Sequence, residues 1–169
     1  MPGTWRCRAE ADLISDPDLH VVLYHPEIPP NTGNIGRLCV GVGIALHVVH
    51  PIGFSMDERN LRRAGLDYWK HVDLMEHPDE PAFWRWAQGR RLHLFSSHGD
   101  RPYTQCRFQV GDALLFGRET VGLPKELVAE QGAWRIPMTG PTRSLNVSNA
   151  VAVVVYQALQ QVRSEMFGG

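Results

Sequence analysis

Residues 135–151 read RIPMTGPTRSLNVSNAV. A strand-like apolar start runs into a Gly/Pro turn and then a Ser/Asn-rich segment, and a long apolar helix follows. The first backbone N–H groups of a helix have no partner within it, so this stretch gathers amides and hydroxyls at a helix entrance. A polar ligand can be held at such a place. The stretch therefore predicts a binding site near the end of the chain.

Two other loops have the same glycine-punctuated character. They are NTGNIGR at residues 31–37 and FGRETVGLP at residues 116–124. Each lies beside an apolar strand or helix, so the three loops are predicted to form one composite site. A composite site of this kind favours an enzyme.

Short apolar runs alternate with helical patterns along the chain. Strands are predicted at residues 20–24, 45–49, 72–75, 91–96, 112–116 and 134–137. Helices are predicted at residues 31–43, 57–64, 80–89 and 124–130, and in the apolar segment from residue 147. Asn31 and Thr32 are expected to cap the first helix. This alternation is typical of an α/β fold with a mainly parallel sheet.

The final helix carries apolar residues at positions 147, 150, 151, 154, 155, 158, 159 and 162. This spacing forms one apolar stripe, but Val153 and Tyr156 lie off it, so the helix is apolar nearly all round. Such a helix is buried on more than one side, either in the middle of the domain or at a subunit interface. We expect the interface, and hence a homodimer.

The composition is typical of one globular domain. Of the 169 residues, 43% are apolar, and we expect an N-terminal extension at residues 1–18 before a domain at residues 19–169. Cys7, Cys39 and Cys106 form neither a disulfide framework nor a CxxC metal pair, which indicates a reducing compartment. The sequence shows no signal peptide or membrane span, so we expect a cytoplasmic protein without a membrane partner.

Several common site types have no counterpart in the sequence. There is no GxxxxGK[ST] phosphate loop. The GxG formed by Gly41 and Gly43 ends a helix, which excludes a Rossmann fingerprint. The eight histidines show no HExxH or similar spacing, so no metal is expected. The GxSxG motif of serine hydrolases is also missing.

The formal net charge is −1. Strong non-specific binding to nucleic acid grows with the number of neutralised phosphates, so any RNA site is expected to be a local patch. The densest basic cluster is formed by Arg59, Arg62 and Arg63 with Lys70. From these residues alone, a solvated helix face is as good an interpretation as an RNA contact.

Four stretches together resemble a known family. They are LYHPEIPPNTGNIGRLC at residues 23–39, LRRAGLDYW at 61–69, LFGRETVGLP at 115–124 and the stretch at 135–151. In this order they are similar to the SPOUT superfamily of α/β-knot methyltransferases. Within it they resemble the branch that methylates the ribose 2′-hydroxyl of cytidine or uridine 34, the wobble nucleotide of tRNA. The similarity extends from Leu19 to Val162.

The resemblance implies a C-terminal deep trefoil knot and a bound S-adenosylmethionine (SAM). The implied cofactor contacts are Phe95, Gly117, Ile136, Ser144, Leu145 and Asn146. Gly117 would let the ligand approach the backbone, and a larger side chain there is expected to block SAM while leaving the fold intact. Ile136 and Leu145 can sandwich an adenine. The resemblance also implies an RNA site that two subunits share, with Arg59, Arg62 and Arg63 as contacts to tRNA.

The catalytic candidates lie in the first of these motifs. Methyl transfer requires that the ribose hydroxyl be positioned and its proton drawn away, and the resemblance assigns this part to Arg37. A guanidinium stays protonated far above neutral pH, so it is a poor base. We expect Arg37 to clamp a phosphate and lower the pKa of the hydroxyl, with Asn34 on the same helical face. Glu119 is expected to organise the cofactor loop.

Two alternatives stay open. One is a ribose 2′-O-methyltransferase of the same superfamily that acts on ribosomal RNA and commonly carries a separate RNA-binding domain in front. The other is a non-catalytic RNA-binding module that has kept the knot. Intact Arg37, Glu119, Ser144 and Asn146 count against the second alternative.

Overall fold

A seven-stranded sheet lies at the centre of the computed structural model, which describes residues 17–56 and 67–169. Its strands are β1 (Leu19–Tyr24), β2 (Ala45–Val49), β3 (Leu74–His77), β4 (Leu92–Phe95), β5 (Arg101–Pro102), β6 (Asp112–Phe116) and β7 (Trp134–Arg135). They lie in the order β3–β2–β1–β6–β4–β7–β5, and each neighbouring pair is parallel. The predicted mainly parallel α/β sheet is confirmed.

The helices largely follow the sequence pattern. In the described residues the α-helices are α1 (Pro29–Val42), α2 (Glu80–Ala87), α3 (Lys125–Gln131) and α4 (Val147–Val162). Short 3₁₀ helices occupy Asp67–His71, Tyr103–Gln105 and Ser164–Phe167. Strand β5 was not predicted, because an Arg–Pro pair at a sheet edge carries no apolar alternation. The helix predicted at residues 57–64 lies outside the described residues.

The central strands are buried on both faces of the sheet. In β1, Leu19, Val21 and Leu23 pack on the side of α1 and α4. Val22 and Tyr24 pack on the other side, against α2. Successive side chains of a strand point to opposite faces, so one continuous apolar run contributes to two cores.

Helix α4 packs against α1 on one face of the sheet. Just beyond α4, Arg163 donates hydrogen bonds to the Asp18 carboxylate and to the carbonyls of Val42 and Gly43 at the end of α1. The predicted N-terminal extension therefore includes a residue that contacts the domain.

Strand β7 lies between β4 and β5, which both precede it in sequence. The chain therefore returns to the sheet between two strands that it has already formed, and α4 follows directly. A deep trefoil knot would require the chain in this region to pass through an earlier loop, which connections normally avoid. The strand order agrees with the fold expected from the resemblance, and the threading itself stays a prediction.

Three buried histidines form a row across neighbouring strands. His20 in β1, His47 in β2 and His77 in β3 are joined by ring contacts of 2.9 and 3.0 Å between their nitrogens. Trp86 of α2 packs against all three rings. Burial lowers the pKa of His77 to about 4 and holds the pKa of His47 well below its ordinary value. Both rings are therefore neutral at pH 7.

We expect the free energy of unfolding to fall as the pH is lowered from about 7.5 to about 5. Histidines of the unfolded chain take up protons in this range, whereas the folded chain keeps His47 and His77 neutral. The loss is about 2 kcal/mol for His77 alone. Urea unfolding at both pH values measures the free energy of unfolding. The His77→Gln variant should show a smaller difference between the two pH values than the wild type. Equal stability at the two pH values would contradict the buried neutral row.

Candidate active site

Three loops lie at one edge of the sheet, but the predicted glycine-containing loop at residues 31–37 is part of α1, whose start adjoins this edge. Residues 25–28 follow β1, residues 117–124 follow β6 and residues 136–146 follow β7, while β4 ends at Phe95. The carboxyl ends of parallel strands meet at the same edge, where α/β proteins place their ligands. The three stretches from which the sequence predicts one composite site therefore all border this edge, two as loops and one as the first part of α1.

Glu119 joins the loop after β6 to the start of α1. Its carboxylate accepts hydrogen bonds from the backbone N–H of Glu27 (2.9 Å), the backbone N–H of Ile28 (3.1 Å) and the side-chain amide of Asn31 (3.3 Å). These donors belong to the first turn of α1 and the residues before it, where a negative charge is favourable. The arrangement supports the organising role expected for Glu119.

Asn31 extends this connection to the last motif. Its Oδ1 accepts a hydrogen bond from Nδ2 of Asn146 at 3.0 Å. Asn146 in turn accepts a hydrogen bond from the Ser148 N–H at 2.9 Å and so caps α4. The expectation that Asn31 and its neighbour cap α1 is wrong, because the N-cap residue is Ile28. Asn31 instead links two helix starts, a role for which the sequence gives no local signal.

His25 fixes the start of the loop between β1 and α1. Its φ of 53° lies in the left-handed region, which is unfavourable for a residue with a Cβ. Its Nδ1 donates to the carbonyls of Val49 and Pro51, both at 3.1 Å, and its Nε2 contacts the Glu80 carboxylate at 2.8 Å. The bond from His25 lowers the pKa of Glu80. These contacts hold the strained backbone in place at the entrance to the site.

The two catalytic candidates, Asn34 and Arg37, lie one turn apart on the exposed face of α1. The guanidinium carbon of Arg37 is 6.0 Å from the centroid of the Tyr68 ring. Within residues 17–56 and 67–169, no ion pair involves Arg37. This face can therefore offer its guanidinium and amide to a ligand outside the protein.

The 3₁₀ helix Asp67–His71 supports α1 from the side. A Cβ on Gly36 would lie 2.4 Å from the Trp69 ring, so the ring packs directly on the helix backbone. The Tyr68 hydroxyl donates to the carbonyl of Gly33 at 2.9 Å. Trp69 is only 8% exposed, and its ring is therefore part of the core.

The structure shows a reason for glycine at position 117 that was not expected from the sequence. A Cβ there would lie 2.2 Å from the carbonyl carbon of Gly122 and 2.2 Å from the backbone nitrogen of Leu123. The loop doubles back on itself, with a bridge between Arg118 and Gly122. Glycine is needed because two parts of one loop touch. A larger side chain at Gly117 is therefore expected to strain this loop in addition to any effect on a ligand, whereas no effect on the fold was expected from the sequence.

The other expected cofactor residues surround the same edge but differ in access. Phe95 is 7% exposed and stacks on Phe116 with 5.1 Å between ring centroids, so its side chain belongs to the core. The remaining four are at least partly accessible: Ile136, Ser144, Leu145 and Asn146.

The segment of residues 138–145 leads from β7 toward α4 without regular structure. None of its backbone groups is hydrogen-bonded to another residue in the part of the chain that the structure describes. The Ser96 N–H donates to the Trp134 carbonyl at 2.9 Å, which brings the end of β4 beside the start of this segment. Backbone donors next to Ile136 and Leu145 that have no partner among residues 17–56 and 67–169 suit the edge of an adenine, and the two side chains suit its faces. The residues present therefore fit SAM.

The three arginines expected to contact RNA, Arg59, Arg62 and Arg63, lie outside the described residues. Lys70, from the same predicted cluster, is exposed.

In the described ranges, no three metal-ligating side chains are grouped so as to hold an ion. No described helix has the length and apolar character needed to span a membrane.

Residues 18–156 match the SpoU rRNA Methylase family, and this range includes all three loops and both catalytic candidates. The protein belongs to the SpoU methylase family. The family identified from the four sequence motifs is thereby confirmed.

One relative and one solved structure match most of this SpoU methylase. The tRNA (cytidine(34)-2′-O)-methyltransferase of Escherichia coli K12 is 47% identical over 148 residues, covering 85% of this chain and 94% of that one. A solved structure described as giving structural insights into the 2-OH methylation of C/U34 on tRNA has a TM-score of 0.81 and 46% identity. That match covers 88% of this chain and 94% of the other.

A more distant relative was solved with the cofactor. The SpoU methyltransferase AviRb from Streptomyces viridochromogenes, in complex with AdoMet, has a TM-score of 0.73 and 25% identity. The match covers 92% of this chain and 62% of AviRb. SAM is thus a ligand of a protein with the same fold and family.

We expect Gly117→Ala to lower both the thermal stability and the affinity for SAM. The added methyl must push residue 117 away from the backbone of Gly122 and Leu123, at a cost of about 1–3 kcal/mol. Gly41→Ala is the matched control, because a Cβ at this helical position meets nothing within 4 Å. Differential scanning fluorimetry and calorimetric titration with SAM give the two readouts. A Gly117→Ala protein that matches the Gly41→Ala protein in both would refute the backbone contact.

Proposed function

We propose that the protein transfers a methyl group from SAM to the ribose 2′-hydroxyl of cytidine or uridine 34 in the anticodon loop of tRNA. The observation that carries this function is the 47% identity to the E. coli tRNA (cytidine(34)-2′-O)-methyltransferase across 94% of that enzyme. The network of Glu119, Asn31 and Asn146 beside an exposed Arg37 supports an enzyme rather than a non-catalytic module.

SAM supplies an electrophilic methyl group when it is bound. In this chain, Ile136 and Leu145 would contact its adenine, and backbone groups of residues 138–145 would bind the adenine edge. The loop that begins at Gly117 closes the site from the side of β6, because Glu119 fixes it against α1. Phe95 contributes backbone atoms and a packed core beneath the site.

Arg37 would act on the RNA rather than as a base. Its exposed guanidinium can donate two hydrogen bonds to a phosphate beside the target ribose. Its positive charge stabilises the negative charge that develops on the 2′-oxygen and so lowers the pKa of the hydroxyl. Asn34, one turn earlier on the same face, would orient the same group. A phosphate oxygen or a water then takes the proton.

A ribosomal-RNA substrate is the second candidate, because the matching family is described by its rRNA methylases. The cofactor site would be the same for both substrates. The near-complete coverage of relatives that act on tRNA favours tRNA.

The test of the proposed function is mass spectrometry of nucleosides from tRNA and rRNA incubated separately with the protein and methyl-labelled SAM. We expect label only in the 2′-O-methylated pyrimidine at tRNA position 34. Label in rRNA would establish the second candidate, and SAM binding without any labelled RNA would exclude both.

Arg37→Ala should lower the rate of methylation by about 100-fold or more, the scale of a positioned catalytic group. The affinity for SAM should stay within a few-fold, because the exposed side chain projects from α1 rather than from the cofactor loops. Arg85→Ala is the control, since Arg85 is an exposed arginine on α2, across the sheet from α1. Single-turnover rates with saturating SAM provide the comparison. Equal rates for both variants would remove Arg37 from the reaction.

We place the reaction in the cytoplasm. Cys39 and Cys106 are unpaired and buried, and burial raises the pKa of each thiol to about 12. These thiols stay protonated and unreactive at neutral pH, which suits a reducing compartment.

We further propose that the protein is a homodimer. The buried side of α4 packs on α1, but Val153 and Tyr156 on its other side are 36% and 47% exposed. Met166 and Phe167, which follow α4, are 48% and 45% exposed, and the rings of Tyr156 and Phe167 lie 6.3 Å apart. Grouped exposed apolar side chains of this kind are typical of a subunit interface. The pattern that predicted a two-sided helix supports this interface.

Val153→Glu should convert the dimer into monomers, because it places a charge in the apolar surface beside Tyr156. If the RNA site is shared between subunits, methylation should fall far more than helix content. Val110→Glu is the control, since Val110 is 63% exposed and lies in the loop before β6. Sedimentation measures the mass in solution, and circular dichroism measures the helix content. A methylation assay measures the loss of activity. A wild type that sediments as a fully active 19.0 kDa monomer would disprove the dimer.

A further inference from the structure

Two acidic side chains cross between the loop after β1 and the loop after β6, in opposite directions. Glu119 of the second loop binds backbone groups of Glu27 and Ile28 in the first. Glu27 of the first loop accepts hydrogen bonds from the Thr120 hydroxyl, at 2.8 and 3.1 Å to its two oxygens, and from the Thr120 N–H at 3.4 Å. The two loops are therefore joined by reciprocal contacts.

The contacts made by Glu119 and by Glu27 differ in how far they are buried. Glu119 is partly buried and also binds Asn31, so it supports both a helix start and the link to the last motif. Thr120 is exposed, and Glu27 is only partly buried. Water can replace a hydrogen bond at such a position, so the loss of the Glu27–Thr120 contact should cost little folding free energy. Its effect is expected on the spacing of the loops.

The loops that this contact joins carry the two sides of the proposed reaction. The loop of residues 117–122 borders the proposed SAM site, whereas α1 carries Asn34 and Arg37 on its exposed face. Residues 27 and 28 lead directly into α1, so a shift of the first loop moves the whole helix with it. The distance from the cofactor side to the guanidinium therefore depends on how closely these loops are held.

We infer that Glu27 and Thr120 are positioning residues for methyl transfer. Their contact holds the cofactor loop and the RNA-facing helix α1 at the spacing that aligns the 2′-oxygen with the methyl group. Methyl transfer requires this alignment in line, and a misplacement of about 1 Å can cost about 100-fold in rate. Binding of either substrate alone does not require the alignment. This inference rests on the proposed function.

The test compares Thr120→Val with Thr120→Ser. Valine keeps the branched shape and removes the hydroxyl, whereas serine keeps the hydroxyl and removes the methyl. For Thr120→Val we expect kcat to fall by about tenfold or more, with the Kd for SAM and the KM for tRNA within about threefold of the wild type. Thr120→Ser should restore most of the rate. Calorimetry measures the Kd for SAM. Methylation of tRNA transcripts that carry cytidine or uridine at position 34 measures kcat and the KM for tRNA.

Glu27→Gln provides a second measurement from the other side of the contact. The amide keeps one oxygen that can accept from the Thr120 hydroxyl but loses the charge, so kcat should lie between those of the wild type and Thr120→Val. Thermal unfolding of all three variants should stay near that of the wild type. A large loss of stability would show that the contact holds the fold instead, and would overturn the inference.

The remaining outcomes are also decisive. Wild-type kcat in Thr120→Val, an equal loss in Thr120→Ser, or a rise in the Kd for SAM that accounts for the whole loss of rate would each overturn the positioning role. In these cases the wild type still methylates tRNA, so the proposed function stands. A wild type that binds SAM but methylates no RNA would overturn the proposed function and this inference with it.

Discussion

The hydrogen bonds of the Glu119 carboxylate set the geometry on which the site depends. They join two irregular segments, the loop after β6 and the start of α1, that lie far apart in sequence. Irregular loops have no ladder of backbone bonds to align them, so one carboxylate that accepts hydrogen bonds from three donors supplies the alignment. Asn31 carries the connection on to Asn146 and hence to the start of α4. A displacement of any of these segments is therefore transmitted to the others, and the site is a property of the whole sheet edge.

Close packing adds to this constraint. Trp69 rests on the backbone of α1 at Gly36, and Gly99 approaches the backbone carbonyl of Ala133, which a Cβ would meet at 2.7 Å. Such contacts leave little room for independent movement, because a packed interior responds to strain as a unit. Helix α1 is thus held along one side by Trp69 and at its start by Glu119. Its exposed face carries Arg37, which we propose to contact RNA.

Much of the fold could be predicted from the sequence, because strands buried on both faces leave continuous apolar runs. The runs that gave β1 and β6 are of this kind, and the glycine-containing stretches at residues 31–37 and 116–124 pointed to the site, although the first of them lies in α1 rather than in a loop. The role of Asn31 could not be predicted in the same way, since its partners are 88 and 115 residues away. The reason for Gly117 was also hidden, because it lies in how the loop folds back on Leu123. Local patterns therefore located the site, while its internal connections required the structure.

The small net charge makes the contacts between the cofactor loop and α1 more important for the reaction. A protein with a formal charge of −1 produces no strong field that draws RNA to its surface. The affinity for RNA and the rate of methylation are then expected to depend on a few cations placed at defined positions. On α1, the same guanidinium of Arg37 is proposed both to hold the backbone of the RNA and to prepare the attacking hydroxyl. Binding of the RNA needs only the exposed guanidinium, whereas the chemistry also depends on what fixes α1 relative to the cofactor loop. Contacts that join the two loops are therefore expected to affect the rate of methyl transfer without touching the substrate.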